Sequence, residues 1–312
     1  MKKIVKVFTT IMVGLVLIMK NSYLFSTTGL NEMNDNIRTN LNKDFVQLKN
    51  GSISYRWRGP VEGEIVVMVH GLSTPRVVFV QNVGALVEAG FRVLTYDHFG
   101  YGFSDRPNIK YGKQLYDDEL IELLSALGIK TAVNLIGYSM GGGISTVFAA
   151  NHPERVKRLV LMAPVGFILK QRGVNKLLLI PVLGEWLMTM VVKKKMIDRF
   201  YSEVEKGVAP RIMAESFEKQ FEYAGVERAF LSSLRNFPME NLQAEYQQLG
   251  TTTFPKLLIW GTEDSDTPFA GSEKILALIP DIQFFKIDGG GHSIPFSHAD
   301  IVNREIVDFL KK

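Results

Sequence analysis

AVNLIGYSMGGG, residues 132–143, is the stretch that decides the fold. Its first part, Ala132–Ile136, is apolar on both faces, as a strand buried between two layers of helix must be. Its last part opens a helical segment, Met140–Ala150. Between them lies Gly137-Tyr138-Ser139-Met140-Gly141, a G-x-S-x-G sequence. Gly and Ser are common, so the five residues alone decide little; the strand before and the helix after give them meaning. A chain passing from strand straight into helix is cramped, and small residues beside the serine leave room for the turn while its hydroxyl stands clear. Gly141–Gly143 let the helix lie close to the sheet. A phosphate-binding glycine loop needs another spacing and a lysine that is absent here. Ser139 is the candidate nucleophile.

Working outward, short apolar runs recur: Glu64–His70, Phe91–Asp97, Ala132–Tyr138, Val156–Met162, Lys256–Trp260 and Gln283–Ile287. Helical periods lie between or after most of them, at Val77–Ala89, Lys113–Leu127, Met140–Ala150, Glu273–Leu278 and Ala299–Leu310. Alternation of this kind predicts an α/β fold with a mostly parallel, doubly wound sheet. Phe45–Leu48 and Ser52–Trp57 flank Lys49-Asn50-Gly51, a hairpin signal. One interval, about 166–250, breaks the alternation. It has no convincing strand and is punctuated by Pro181, Gly184, Pro210 and Pro238, so it reads as an inserted helical cap. The expected organisation is an N-terminal segment at 1–25, a polar, turn-rich linker at 26–44 (with Asn31, Asn34, Asp35, Asn36, Asn40 and Asn42), and one folded domain at 45–312 carrying the cap.

A serine hydroxyl needs a base. Of five histidines, His292 alone follows the last expected strand in a glycine turn, Gly289-Gly290-Gly291-His292. His298 reads as a surface or capping residue, His152 as a helix end, and His70 as a residue that holds its loop. The base in turn needs an acid to fix its tautomer. The loop after Lys256–Trp260 offers Glu263, Asp264 and Asp266. Position favours Asp264, with Asp266 as the alternative, giving the order Ser139, Asp264, His292. For the oxyanion, the N–H of Met140 at the helix start and that of Leu72, after the Glu64–His70 strand, are the expected donors.

Composition narrows the classes. Without cysteine, a thiol nucleophile, a Cys-ligated zinc and a disulfide framework are excluded. The net charge of +4 is mild and partly owed to Lys2, Lys3, Lys6 and Lys20, so nucleic acid is not an expected partner. Those lysines flank an apolar-rich run, Val7–Met19, which reads as a signal peptide or an uncleaved signal anchor. Either reading places the domain outside the cytoplasm, membrane-anchored or secreted, and allows membrane association through this segment.

Together these residues resemble the α/β-hydrolase superfamily, in its cap-bearing branch of serine hydrolases. The resemblance runs from about Phe45 to the C-terminus. It is carried by Val69-His70-Gly71, Tyr96-Asp97-His98-Phe99-Gly100-Tyr101-Gly102-Phe103-Ser104, the Ser139 turn, Trp260-Gly261-Thr262-Glu263-Asp264 and Gly291-His292. The family pattern usually has Arg where His98 stands, which reads as a structural variation. Serine at the turn is unlike the dehalogenase and epoxide-hydrolase branches, which use Asp, and no HGGPG run links the chain to prolyl iminopeptidases. The resemblance implies acyl transfer through Ser139, His292 and Asp264 with no metal or organic cofactor.

Substrate choice falls to the cap. LLLIPVLGEWLMTMVV, residues 177–192, precedes Lys193-Lys194-Lys195. It reads as the wall of an apolar pocket, with Trp186, Met188 and Met190 facing substrate; as a membrane-touching face; or as plain packing. An apolar cap favours a lipophilic carboxylic ester, as in a carboxylesterase or lipase. Two alternatives use the same fold: hydrolysis of a C–C bond in a diketone by the same triad, and a slow-turnover ligand-binding receptor.

Overall fold

The computed structural model describes residues 2–41, 43–167 and 174–312. Eight strands form one sheet: β1 (Asp44–Leu48), β2 (Gly51–Arg58), β3 (Ile65–Val69), β4 (Arg92–Tyr96), β5 (Val133–Tyr138), β6 (Val156–Met162), β7 (Lys256–Gly261) and β8 (Gln283–Ile287). Their order is β1-β2-β4-β3-β5-β6-β7-β8. β3 to β8 run parallel, while the β1–β2 hairpin adds antiparallel strands on the β4 side. The expected α/β sheet is therefore present, with strand limits that differ from the sequence reading by a residue or so.

The middle strands are buried along their length, so they carry apolar residues on both faces: Val66 to Val69, Leu135 and Ile136, and Leu159 to Met162 are all fully buried. Each such side chain contributes roughly 1.5–3 kcal/mol of burial free energy. The flanking helices are α3 (Val80–Glu88), α4 (Lys113–Ala126), α5 (Met140–Asn151), α12 (Ala270–Leu278), the short α13 (Ile294–Ser297) and α14 (Ala299–Leu310). α14 turns Val302, Ile306, Phe309 and Leu310 inward and packs on α3, and α5 packs on α4. α5 is buried from Met140 to Ala150, which is why it shows no polar face in the sequence. A Cβ at Gly141 would stand 2.1 Å from the Val69 carbonyl oxygen, so only glycine lets α5 lie this close to β3.

Between β6 and β7 the described chain is helical: α6 (Val174–Leu178), α7 (Leu183–Leu187), α8 (Lys193–Glu205), α9 (Arg211–Lys219), α10 (Val226–Asn236) and α11 (Gln243–Leu249). Leu178, Met188, Phe217, Phe221, Val226, Phe230 and Leu231 form a separate apolar cluster there. Of the interval expected as cap, residues 168–173 lie outside the described residues, as does Asn42 of the expected linker.

The N-terminal segment corrects the sequence reading. α1 (Lys2–Thr27) is a helix of 26 residues, yet among the described residues no helix is long and apolar enough to cross a membrane. The run Val7–Met19 falls short of the ~20 apolar residues a span requires, and the helix continues through Lys20, Asn21 and Ser22. α1 packs instead against α7. Beyond it, Asn31 pairs with the cap: its N–H donates to Glu222 O and its carbonyl accepts from Ala224 N–H. The expected linker also holds a short helix, α2 (Asp35–Asn40), capped by Asn34. The expected anchor, and the extracytoplasmic localisation that rested on it, are withdrawn. Of the three cap lysines, Lys193 pairs with Glu227 and Lys194 with Asp198 within the cap itself.

Candidate active site

β3 and β5 are neighbours, but the chain passes through β4 on one side before crossing to β5 on the other. Loops leave such a switch point in opposite directions and open a crevice at the carboxyl ends of the strands. Leu72, Ser139, Asp264 and His292 follow β3, β5, β7 and β8 respectively, so parallel strands deliver all four to one edge.

Ser139 has φ +56° and ψ −121°, a conformation that costs a non-glycine residue about 1–3 kcal/mol. The surroundings hold it there. Its N–H donates to Met162 O at 3.0 Å, and its carbonyl accepts from Gly142, Gly143 and Val165. The strain lifts the hydroxyl off the strand end. Gly71 faces it closely: a Cβ on Gly71 would meet Ser139 Cβ at 2.9 Å and Oγ at 3.4 Å. No side chain fits between the β3 loop and the serine.

His292 Nε2 lies 3.0 Å from Ser139 Oγ, and its Nδ1 lies 2.7 Å from Asp264 Oδ2. With Nδ1–H donating to the carboxylate, Nε2 is free to accept from the hydroxyl. The Tyr138 hydroxyl donates to His292 O at 2.9 Å, and its ring lies 5.1 Å from the imidazole centroid. Asp264 is buried. Its Oδ1 accepts from the N–H groups of Asp266 and Thr267, and its Oδ2 accepts from Thr267 Oγ1 at 2.7 Å. Thr267 Oγ1 also lies 3.1 Å from His292 Nδ1. Asp266 points elsewhere, to Arg199 at 3.2 Å, so Asp264 is the acid that meets His292. Thr267 escaped the sequence reading. Its signal is an aspartate followed two and three residues on by backbone N–H groups that turn back onto its carboxylate.

The N–H of Met140 opens α5, where unpaired donors and the helix dipole favour negative charge. Among the described residues neither this group nor Leu72 N–H donates to another protein group. Of the other histidines, His70 and His98 are buried beside the β3 loop, His152 faces Asp117 and His298 contacts Ser297.

Ser139 and His292 open into a cavity of ≈ 510 Å³. The main domain supplies Val78, Val165 and Phe296, and the cap closes it with Met196, Arg199, Phe200 and Glu203 from α8 and Phe230 and Leu234 from α10. None of Trp186, Met188 and Met190 lies on this wall. Met188 is buried in the cap's own apolar cluster, Met190 is exposed, and Trp186 is on α7, the helix that packs on α1. A π turn at Met188–Val192 inserts an extra residue into the helical register, and α8 becomes the lining helix. Its signal was legible: residues 196, 199, 200 and 203 fall three, four and seven apart on one helical face.

Residues 64–299 match the family model described as alpha/beta hydrolase fold. The chain is 31% identical over 282 residues to a 2-hydroxy-6-oxononadienedioate/2-hydroxy-6-oxononatrienedioate hydrolase of Cupriavidus pinatubonensis, covering 85% of this chain and 94% of that one. It is 27% identical over 260 residues to a 2-hydroxy-6-oxo-6-phenylhexa-2,4-dienoate hydrolase of Burkholderia cepacia, covering 80% and 88%. Among solved structures, a bromoperoxidase from Bacillus anthracis superposes with a TM-score of 0.73 at 22% identity, over 87% of this chain and all of that one; at that identity the likeness concerns the fold alone. Strand order, crevice and family match agree: the chain belongs to the α/β-hydrolase family.

Proposed function

We propose that this hydrolase cleaves a carbon–carbon bond beside a ketone carbonyl, with Ser139 as nucleophile, His292 as base and acid, and Asp264 as its orienting carboxylate. The observation that carries the chemistry is the continuous contact from Asp264 Oδ2 through His292 to Ser139 Oγ, at 2.7 and 3.0 Å, with Ser139 and His292 lining the cavity under the cap. The bond type is supported by the relatives, whose names describe hydrolases of 2-hydroxy-6-oxo dienoates.

His292 Nε2 takes the Ser139 proton as Oγ adds to the ketone carbon. The oxyanion that forms lies between Leu72 N–H and Met140 N–H, each such donor being worth about 10²–10³ in rate. The tetrahedral centre collapses by expelling carbon, so the departing carbon must be conjugated to a second carbonyl that takes up the electron pair as an enolate. The proton on His292 is then passed to that fragment. Water, deprotonated by His292, resolves the acyl-enzyme to a carboxylic acid and restores Ser139. The sum is ketone plus water giving acid plus a C–H product.

Ester hydrolysis is the second reading, because the same addition precedes loss of an alkoxide and the wall at Phe200, Phe230 and Leu234 is apolar. The test presents the full chain and Ser139→Ala with 2-hydroxy-6-oxo-6-phenylhexa-2,4-dienoate and with p-nitrophenyl esters of graded length. Faster decay of the dienoate chromophore than of any ester is the expected result. Ester turnover without dienoate cleavage would establish the second reading. Failure of a fluorophosphonate to label Ser139 would overturn both.

A further inference from the structure

Three buried titratable side chains beside the crevice have no part in the steps above. His70 and His98 are fully buried, and Glu119, from α4, is 1% exposed. They form one connected set. The N–H of His98 donates to His70 Nε2 at 2.9 Å. That nitrogen must therefore be bare, and the ring hydrogen sits on Nδ1, which donates to Gly71 O at 2.8 Å. His98 Nε2 lies 3.1 Å from His70 O, a carbonyl that only accepts, so it carries a hydrogen. His98 Nδ1 contacts Glu119 Oε1, while Glu119 Oε2 accepts from Phe99 N–H at 2.7 Å.

The Gly71 carbonyl and the Leu72 N–H belong to one planar trans peptide and point in opposite directions. Whatever holds the oxygen aims the N–H. We infer that His70 is a positioning residue of the oxyanion site, which by holding the Gly71 carbonyl sets the direction of the Leu72 N–H, and that the buried His98–Glu119 pair holds His70 in its turn. The inference rests on Ser139 being the nucleophile.

The loop needs such a holder. Ser73 has φ +72°, outside the range a serine favours, and its carbonyl is tied to the cap by Gln220 Nε2 at 2.9 Å. Leu72 O accepts from Thr74 N–H. With His70 on one side and these bonds on the other, the peptide that carries the donor cannot rotate. Burial, and then the neighbouring His98, push the His70 imidazole well below its ordinary range, which keeps Nε2 able to accept.

Two measurements on the full chain test this. A long-range ¹H–¹⁵N spectrum of the unsubstituted protein is expected to show His70 as the Nδ1–H tautomer; the Nε2–H tautomer would overturn the inference alone. The second measurement compares the unsubstituted chain with His70→Ala, Glu119→Leu and Glu119→Gln, each checked for cooperative unfolding. Fluorophosphonate reaction at Ser139 is expected to slow about 10–100-fold in the first two, less than loss of a donor outright, because the N–H remains but is no longer aimed. Affinity for a trifluoromethyl ketone, which adds Ser139 and forms an oxyanion, falls by the same factor, while affinity for the matching methyl ketone stays. Glu119→Gln remains within about threefold of the parent rate, because the amide donates to His98 Nδ1 and accepts from Phe99 N–H. Parent rates in folded His70→Ala and Glu119→Leu, or equal loss of both ketones, would overturn the inference. An unlabelled Ser139 in the unsubstituted chain would instead overturn the nucleophile and everything built on it.

Discussion

Replacing Glu119 by Gln changes how stability depends on pH, in a direction that the hydrogen-bond pattern fixes. His98 Nε2 donates to a carbonyl, and His98 Nδ1 shares a contact with Glu119 Oε1. Two bare acceptors do not meet in this way, so one proton lies between them and the pair is neutral overall. Burial puts that proton on the carboxyl: it raises Glu119 well above its ordinary 4.5 and pushes His98 from 6.5 down to about 3. The two groups act in opposite senses. Glu119, raised in the folded state, contributes stability that is complete below pH 4.5 and lost as pH rises toward its folded value. His98, depressed, contributes stability that is complete above pH 6.5 and lost as pH falls toward 3. The Glu119→Gln variant would lose the first dependence and keep the second. The stability of Glu119→Gln relative to the parent therefore rises as pH climbs above the ordinary carboxylate range, with a limiting slope of about 1.4 kcal/mol per pH unit. Both groups are fully buried, so solvent does not screen the effect. Urea unfolding of the two proteins at several pH values above that range, with matching m values, measures it. A stability difference that does not vary with pH would mean that Glu119 is a bare carboxylate in the folded protein, and the proton count would be refuted.

Other expectations concern the crevice directly. Ser139→Ala should fold with unchanged cooperativity and lose hydrolysis by at least about 10³-fold, measured on whichever substrate the parent turns over. Thr267→Val removes the hydroxyl that bonds Asp264 Oδ2 at 2.7 Å; kcat should fall about 10-fold or more with little change in KM, in keeping with a hydrogen bond to a charged group, and an unchanged kcat would refute a positioning role. Gly71→Ala places a methyl 2.9 Å from Ser139 Cβ. Its cost should be about 1–3 kcal/mol of stability by urea unfolding, together with slower fluorophosphonate labelling; unaltered labelling would count against the close approach of the two loops. Phe200→Ala enlarges the cavity under the cap and should raise kcat/KM for bulkier acyl groups relative to small ones.

By itself the sequence determined the sheet and the residues at its edge. Strands buried on both faces must be apolar throughout, helices must show a period near 3.6, and a strand run directly into a helix through Gly137 and Gly141 leaves one place for a serine. Local chemistry therefore specified β3 to β8 and pointed to Ser139 and His292 without reference to distant contacts, while the choice of Asp264 over Asp266 fell to the structure, where Asp264 meets His292 and Asp266 meets Arg199. Where side chains meet across the fold, local pattern decided less: it shows which residues share a helical face, not what that face meets. The cap shows this: 177–192 is the most apolar stretch there, yet Met188 packs inside the cap and α8, which is more polar, turns Met196 and Phe200 to the cavity. Hydrophobicity specifies burial, not which neighbour does the burying. The N-terminal helix repeats the point, because an apolar run beside lysines fits a membrane signal as well as a helix that rests on α7, and only the packing distinguishes them. The His70–His98–Glu119 set was the least legible. Its members come from the ends of β3 and β4 and from α4, and the proton they share exists because the tertiary structure buries all three, where an unpaired charge would cost far more than a neutral hydrogen-bonded pair.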